Sequence, residues 1–133
     1  MNPRCEVLIV EDDEDMVEMI AVLLGSAGYQ TRVALNGRQA LEAVAREMPA
    51  LILLDMLMPV MDGSEFVRRF RARYGAAVPI VVVTAAEHAR SRCASLDVSE
   101  VLGKPFDIHK LLRIVEGHVG APRADAAPAP KLS

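Results

Sequence analysis

Carboxylates stand where two apolar runs stop. The run Val7 to Val10 leads straight into Glu11, Asp12, Asp13, Glu14 and Asp15, and the run Leu51 to Leu54 ends on Asp55. Two carboxylates about 4 Å apart repel by about 1 kcal/mol in water and by about 4 kcal/mol at an effective dielectric near 20. A hard divalent cation with oxygen ligands offsets that repulsion, keeps several waters and leaves room for a phosphate oxygen; magnesium is the usual ion of this kind. Glu11, Asp12 and Asp55 form the candidate set. Asp13, Glu14 and Asp15 instead suit the start of a helix, where acids accept from free N–H groups and complement the macrodipole. A nucleotide cradle would carry glycines and exposed N–H groups, and the chain has neither GxGxxG nor GxxxxGK[ST].

Two further polar residues end apolar runs: Thr84 closes Ile80 to Val83, and Lys104 follows Val101 and Leu102. Alone, such a threonine is an ordinary β-former and such a lysine an ordinary surface group. Together with the acids they place a hydroxyl and an ammonium around a cation-bound carboxylate. That set suits a phosphoryl group, whose transition state spreads charge over three oxygens.

Several elements must bring these residues together. The runs Val7 to Val10, Leu51 to Leu54 and Val78 to Val83 are short and lack polar alternation, as parallel strands covered on both faces do. Neighbouring strands lie about 4.8 Å apart, so acids ending adjacent strands converge. Tyr29 to Leu35 mixes Thr31 and Val33 with Gln30 and Arg32 and fits an outermost strand; Glu100 to Leu102 predicts a short fifth strand.

Helical stripes separate the strands: Val17, Ile20, Ala21 and Leu24, then Ala40, Leu41, Val44, Ala45 and Met48. A third helix over about Ser64 to Tyr74 buries Phe66, Val67, Phe70 and Tyr74, with Asp62 and Glu65 at its start. A less regular one runs through His88 to Ser95. The last carries Ile108, Leu111, Leu112, Val115 and Val119 on one face, capped by Asp107. Gly28, Pro49 and Gly75 supply stops. Arg68, Arg69, Arg71 and Arg73 read as the solvated face of the third helix. Five βα units predict a doubly wound α/β sheet with right-handed crossovers and its site at the carboxyl ends of the strands.

A chain of 133 residues fits one domain, and 52% apolar with 25% charged residues excludes global disorder. The expected division is a domain over 1–120 and a disordered Ala/Pro-rich tail over 121–133. A net charge of -3 gives no general attraction to nucleic acid. Cys5 and Cys93 lack CxxC spacing, and His88, His109 and His118 lack metal-ligand spacing, so neither a disulfide framework nor a zinc site is expected. No run reaches membrane-spanning length and no signal peptide is visible, which predicts a cytoplasmic protein without membrane insertion.

In VLIVEDDED, LILLDMLMPVMDG, VVVTAA and VLGKPF, in that order, the chain resembles bacterial two-component response-regulator receiver domains over about residues 5 to 119. The resemblance implies a flavodoxin-like fold with strand order 2-1-3-4-5, an order that the general rule for doubly wound sheets also illustrates with a member of this family. It implies Asp55 as phosphoacceptor, Glu11 and Asp12 as the acidic pair, and the backbone carbonyl of Leu57 completing the protein's Mg2+ ligands. Thr84 becomes the switch hydroxyl, Lys104 the phosphate-pairing amine, and Pro105 follows a cis peptide bond. Ala85 leaves the phosphoryl group room. Where the family commonly has an aromatic residue three positions before the lysine, this chain has Val101, and Asp97, Val98 and Ser99 replace a frequent Gly-Ala.

The function so implied is a phosphorelay switch. A sensor histidine kinase or histidine phosphotransfer protein donates to Asp55, and a protein-binding surface changes for a downstream target. Self-phosphorylation from small phosphodonors and slow autodephosphorylation accompany that role; enzyme action does not. An aspartyl phosphatase would carry a general acid two residues after the nucleophile, where this chain has Leu57. A phosphorylation-independent binding module would not need Glu11, Asp12, Asp55, Thr84 and Lys104 together. No output segment follows, so output is expected through a partner without direct DNA binding, from a monomer or weak dimer.

Overall fold

The computed structural model describes residues 7–85, 93 and 96–121. Five short runs become strands: β1 (Val7–Val10), β2 (Thr31–Ala34), β3 (Leu51–Leu54), β4 (Ile80–Ala85) and β5 (Glu100–Lys104). They form one sheet in the order β2-β1-β3-β4-β5, with every neighbouring pair parallel. β1 and β3 are buried on both faces, which is why neither alternates. β2 lies at an edge and exposes Val33, in keeping with its mixed polarity. β4 starts at Ile80 rather than at Val78 because Pro79 has no N–H for the ladder; its carbonyl instead accepts from the Ile52 N–H. β5 runs beyond Leu102, since Gly103 and Lys104 pair with Thr84 and Ala85.

Four helices are described: α1 (Glu14–Ser26), α2 (Gly37–Arg46), α3 (Gly63–Tyr74) and α4 (Ile108–Val119). The helix expected through His88 to Ser95, the tail beyond Ala121 and Cys5 fall outside the described residues. Ile20 and Leu24 of α1 and Leu111 and Val115 of α4 pack with Val7, Ile9, Leu51 and Leu53 on one face of the sheet. Ala40 and Val44 of α2 and Phe66, Val67 and Phe70 of α3 pack with Leu8, Val10, Ile52 and Leu54 on the other. Alternate residues of one strand thus feed opposite layers.

Side-chain oxygens of Asp13, Asn36, Asp62 and Asp107 cap the four helices by accepting first-turn N–H groups. Gly28 (φ 101°) and Gly75 (φ 64°) take the positive-φ turns expected after α1 and α3. Three apolar residues of the predicted stripes are exposed. α2 stops at Arg46, so Met48 lies beyond it and is exposed, while Ala45, within α2, is exposed on the outer side of the helix. Ile108 sits in the first turn of α4 and is exposed too, leaving Leu111 and Val115 to make the core contact.

Arg71 departs from the solvated face expected of it. Its Nε donates to the Asp97 carbonyl at 3.0 Å, and its Nη1 donates to the Gly75 and Val78 carbonyls at 3.0 and 2.8 Å. It ties the end of α3 to the chain entering β4 and β5. Arg68 and Arg69 do lie outward, both on Glu65.

Val60, between β3 and α3, has φ 69° with its side chain 74% exposed. A β-branched residue in the left-handed region costs on the order of 1–2 kcal/mol, whereas asparagine tolerates it. Val60→Asn is therefore expected to raise the unfolding free energy by about 1 kcal/mol, seen as a higher urea midpoint at unchanged slope. A midpoint that stays or falls would show that the backbone stores no such strain.

Candidate functional site

The site follows from strand register. β1 and β3 are adjacent with Val10 opposite Leu54, so the next residues, Glu11 and Asp55, emerge side by side at the carboxyl edge. The Asp55 N–H donates to the Val10 carbonyl at 2.9 Å and the Glu11 N–H to the Ala34 carbonyl at 3.0 Å, which fixes both backbones. Carboxylate oxygens of Glu11, Asp12 and Asp55 lie within 4.8 Å of one another. Glu11 and Asp55 are buried, at 3% and 7% exposure, while Asp12 is open to solvent. An oxygen-only cluster, closed beneath and open above, matches the donor chemistry of a Mg2+ ion that keeps several waters.

Lys104, at the end of β5, crosses toward this cluster. Its Nζ donates to Glu11 Oε1 at 2.7 Å and lies 3.9 Å from Asp55 Oδ2. Glu11 Oε2 accepts from the Asp13 N–H at 3.2 Å, so the carboxylate is gripped at both oxygens. Burial pushes the Glu11 carboxyl up to about 7; the Lys104 hydrogen bond opposes that rise and the neighbouring Asp55 charge adds to it. Thr84, at the end of β4, is completely buried, and its Oγ1 has no hydrogen-bond partner among the described residues. A buried hydroxyl without a partner costs about 1–3 kcal/mol, a cost that an anionic ligand would relieve.

The loop after Asp55 is clamped at two glycines. The Gly63 N–H donates to the Met56 carbonyl and the Gly37 N–H to the Met61 carbonyl, each at 3.0 Å. A Cβ on Gly63 would meet the Asp55 carbonyl oxygen at 2.7 Å and the Met56 Cα at 2.8 Å; one on Gly37 would meet the Met61 carbonyl oxygen at 2.8 Å. Neither glycine carries a reactive group, so neither stands out in the sequence as a site element. Their visible signal is the pair of dipeptides Asn36-Gly37 and Asp62-Gly63, each a helix cap followed by a residue without a side chain.

All five strand-end candidates, Glu11, Asp12, Asp55, Thr84 and Lys104, thus lie along one edge of the sheet. Leu57 follows Asp55 in the clamped loop with its side chain exposed, and its N–H donates to Asp55 Oδ1 at 3.4 Å. The Lys104–Pro105 peptide is cis. Val101 is exposed on edge strand β5. His118 pairs with Glu100 at the opposite, amino end of β5, and His109 is exposed in the first turn of α4. Met56 and Met58 are buried beneath the loop, as packing requires.

Residues 7–116 match the response regulator receiver domain family. Among curated proteins, the chain is 37% identical over 108 residues to response regulator MprA of Mycolicibacterium vanbaalenii, covering 80% of this chain and 46% of MprA. It is 36% identical over 132 residues to the DNA-binding response regulator MtrA of Mycobacterium tuberculosis, covering 98% of this chain and 56% of MtrA. The chain spans about half the length of these relatives. Among solved structures it is similar to the receiver domain of the Pseudomonas aeruginosa sensor histidine kinase PA1611, with TM-score 0.80 and 33% identity over 89% of this chain and 99% of that one. That structure has a magnesium ion coordinated in its active-site cleft. Chemotaxis protein CheY4 of Vibrio cholerae is similar at TM-score 0.76 and 29% identity, covering 87% and 99%. With its sheet order, its strand-end acids and a family match running from β1 into α4, the chain belongs to the receiver domains of two-component response regulators.

Proposed function

We propose that Asp55 is the phosphoacceptor of this receiver, served by Mg2+ held by Glu11, Asp12, Asp55 and the Leu57 carbonyl. One observation carries the reading: a buried carboxylate lies 3.9 Å from a lysine ammonium and shares its edge of the sheet with a buried hydroxyl that has no partner among the described residues. An Asp55 oxygen attacks the phosphorus of a phosphohistidine on a sensor kinase or phosphotransfer protein. The P–N bond breaks with its electrons passing to the imidazole, and an acyl phosphate forms. When bound, Mg2+ would supply charge neutralisation for the incoming oxygens. Lys104 exchanges Glu11 for a phosphoryl oxygen, a charge-assisted hydrogen bond, and Thr84 donates its hydroxyl to another. Hydrolysis reverses the state: water attacks phosphorus, the P–O bond to Asp55 breaks, and phosphate leaves.

The switch so formed acts on a downstream protein, in the cytoplasm. No helix among the described residues is long and apolar enough to cross a membrane.

Acetyl phosphate with Mg2+ should give one phosphoryl adduct, mapped by mass spectrometry to Asp55. Asp55→Asn or EDTA should remove it; full labelling in either case would refute the assignment.

The proton on Glu11 gives a second test. Between the ordinary value of 4.5 and about 7, the folded chain holds a proton there that the unfolded chain has released. The metal-free fold therefore loses stability as pH rises through that window. Cation binding requires the carboxylate, so Mg2+ affinity should increase from about pH 6 to about pH 8 with proton release at the lower value. Calorimetry in two buffers of different ionisation enthalpy measures both; equal affinity and no released proton would contradict it.

A further inference from the structure

Both helices that flank one surface groove begin on the acceptor loop. α3 starts at Gly63, whose N–H holds the Met56 carbonyl, and α2 starts at Gly37, whose N–H holds the Met61 carbonyl. Contact with that loop is too close at either glycine for a Cβ, so a shift of the loop must displace one or both helix starts. Between them opens a groove of about 400 Å³, lined by Leu41, Glu42, Ala45, Arg69, Arg73 and Tyr74.

Leu41, Ala45 and Tyr74 give it an apolar lining, beside Arg69, Arg73 and Glu42. Tyr74 is set by Phe70, with ring centroids 5.0 Å apart, and the Arg73 guanidinium lies 5.7 Å from the Tyr74 ring centre. Arg73 has no carboxylate partner among the described residues. Arg69 engages Glu65 through Nε at 2.7 Å, and Glu42 already faces Arg38 at 3.8 Å. The groove thus offers an unpaired guanidinium beside an aromatic and aliphatic lining, on a chain whose net charge is -3.

We propose that the α2–α3 groove docks an acidic segment of a partner protein, its apolar side chain seated over Leu41, Ala45 and Tyr74 and its carboxylate on Arg73. The acceptor loop adjusts the groove, a coupling that rests on phosphorylation of Asp55. Glu65 already neutralises Arg69 and Glu42 faces Arg38, so Arg73 alone of the lining guanidiniums lacks a carboxylate partner among the described residues, and one carboxylate matches it where a run of backbone phosphates does not.

The full chain, 15N-labelled, is titrated with a synthetic peptide holding a Leu-Phe pair flanked by Glu and Asp, in the free form and as the Mg2+–beryllium fluoride adduct. A lysine-substituted peptide and a single-stranded oligonucleotide serve as comparisons. Acidic peptide should shift the amides of Leu41, Ala45, Arg73 and Tyr74, with affinities differing at least about threefold between the two forms. Arg73→Glu should weaken binding at least about tenfold while acetyl phosphate still labels Asp55. Shifts confined to α1 or α4, no shifts at millimolar peptide, tighter binding of the oligonucleotide, or undiminished binding to Arg73→Glu would overturn the docking site. Equal affinity with Asp55 fully modified would overturn the coupling. Failure of Asp55 to take label would instead defeat the phosphoacceptor reading, leaving the Arg73 dependence of the free form to decide the groove.

Discussion

The contact between Lys104 and Glu11 holds the charged edge of this fold together. Two carboxylates, Glu11 and Asp55, are buried side by side where parallel strands end, and burial pushes the Glu11 carboxyl up. The ammonium brought from β5 lies 2.7 Å from one and 3.9 Å from the other, so a single cation screens the pair. Its preference for Glu11 leaves the Asp55 oxygens less committed. The residue proposed to accept phosphorus is thus the one whose carboxylate the resting contacts bind more loosely.

That contact depends on the sheet. Lys104 and Glu11 are separated by three strand boundaries in the order β2-β1-β3-β4-β5, and because every pair is parallel their ends lie on one edge. The order in turn needs β1, β3 and β4 to be apolar on both faces, because helices cover both. The core and the site therefore share one cause. Unbroken apolar runs make the central strands, and the first polar residue after each run is pushed out at the carboxyl edge.

For the same reason the site was legible from sequence. Glu11, Asp55 and Thr84 are polar residues that interrupt runs of Val, Ile and Leu, and Lys104 ends a shorter one. Helix faces were less legible where a helix ends. Met48 follows the apolar spacing of α2 but lies beyond its last turn, and Ile108 precedes the point where α4 meets the sheet. The anchoring role of Arg71 is not legible from spacing, because periodicity places a side chain on a face without saying which carbonyls wait there. Its partners, Gly75, Val78 and Asp97, belong to loops whose path only the folded chain defines. The two loop-clamping glycines were hidden similarly, since a missing Cβ has meaning only beside the backbone that would collide with it.

The loop after Asp55 is consequently held from opposite directions. At one end the Asp55 N–H is locked to the Val10 carbonyl and the Met56 carbonyl to the Gly63 N–H, and at the other the Met61 carbonyl is fastened to the Gly37 N–H. Between these anchors stands Val60, with φ 69° and an exposed side chain that makes no compensating burial. Closely packed interiors rearrange between discrete arrangements rather than deforming smoothly. A loop pinned at both ends therefore transmits displacement to its anchors. One anchor is the sheet, buried on both faces and resistant. The other is the pair α2 and α3, whose outer surfaces face solvent and whose first residues, Gly37 and Gly63, hold the loop through single N–H donors.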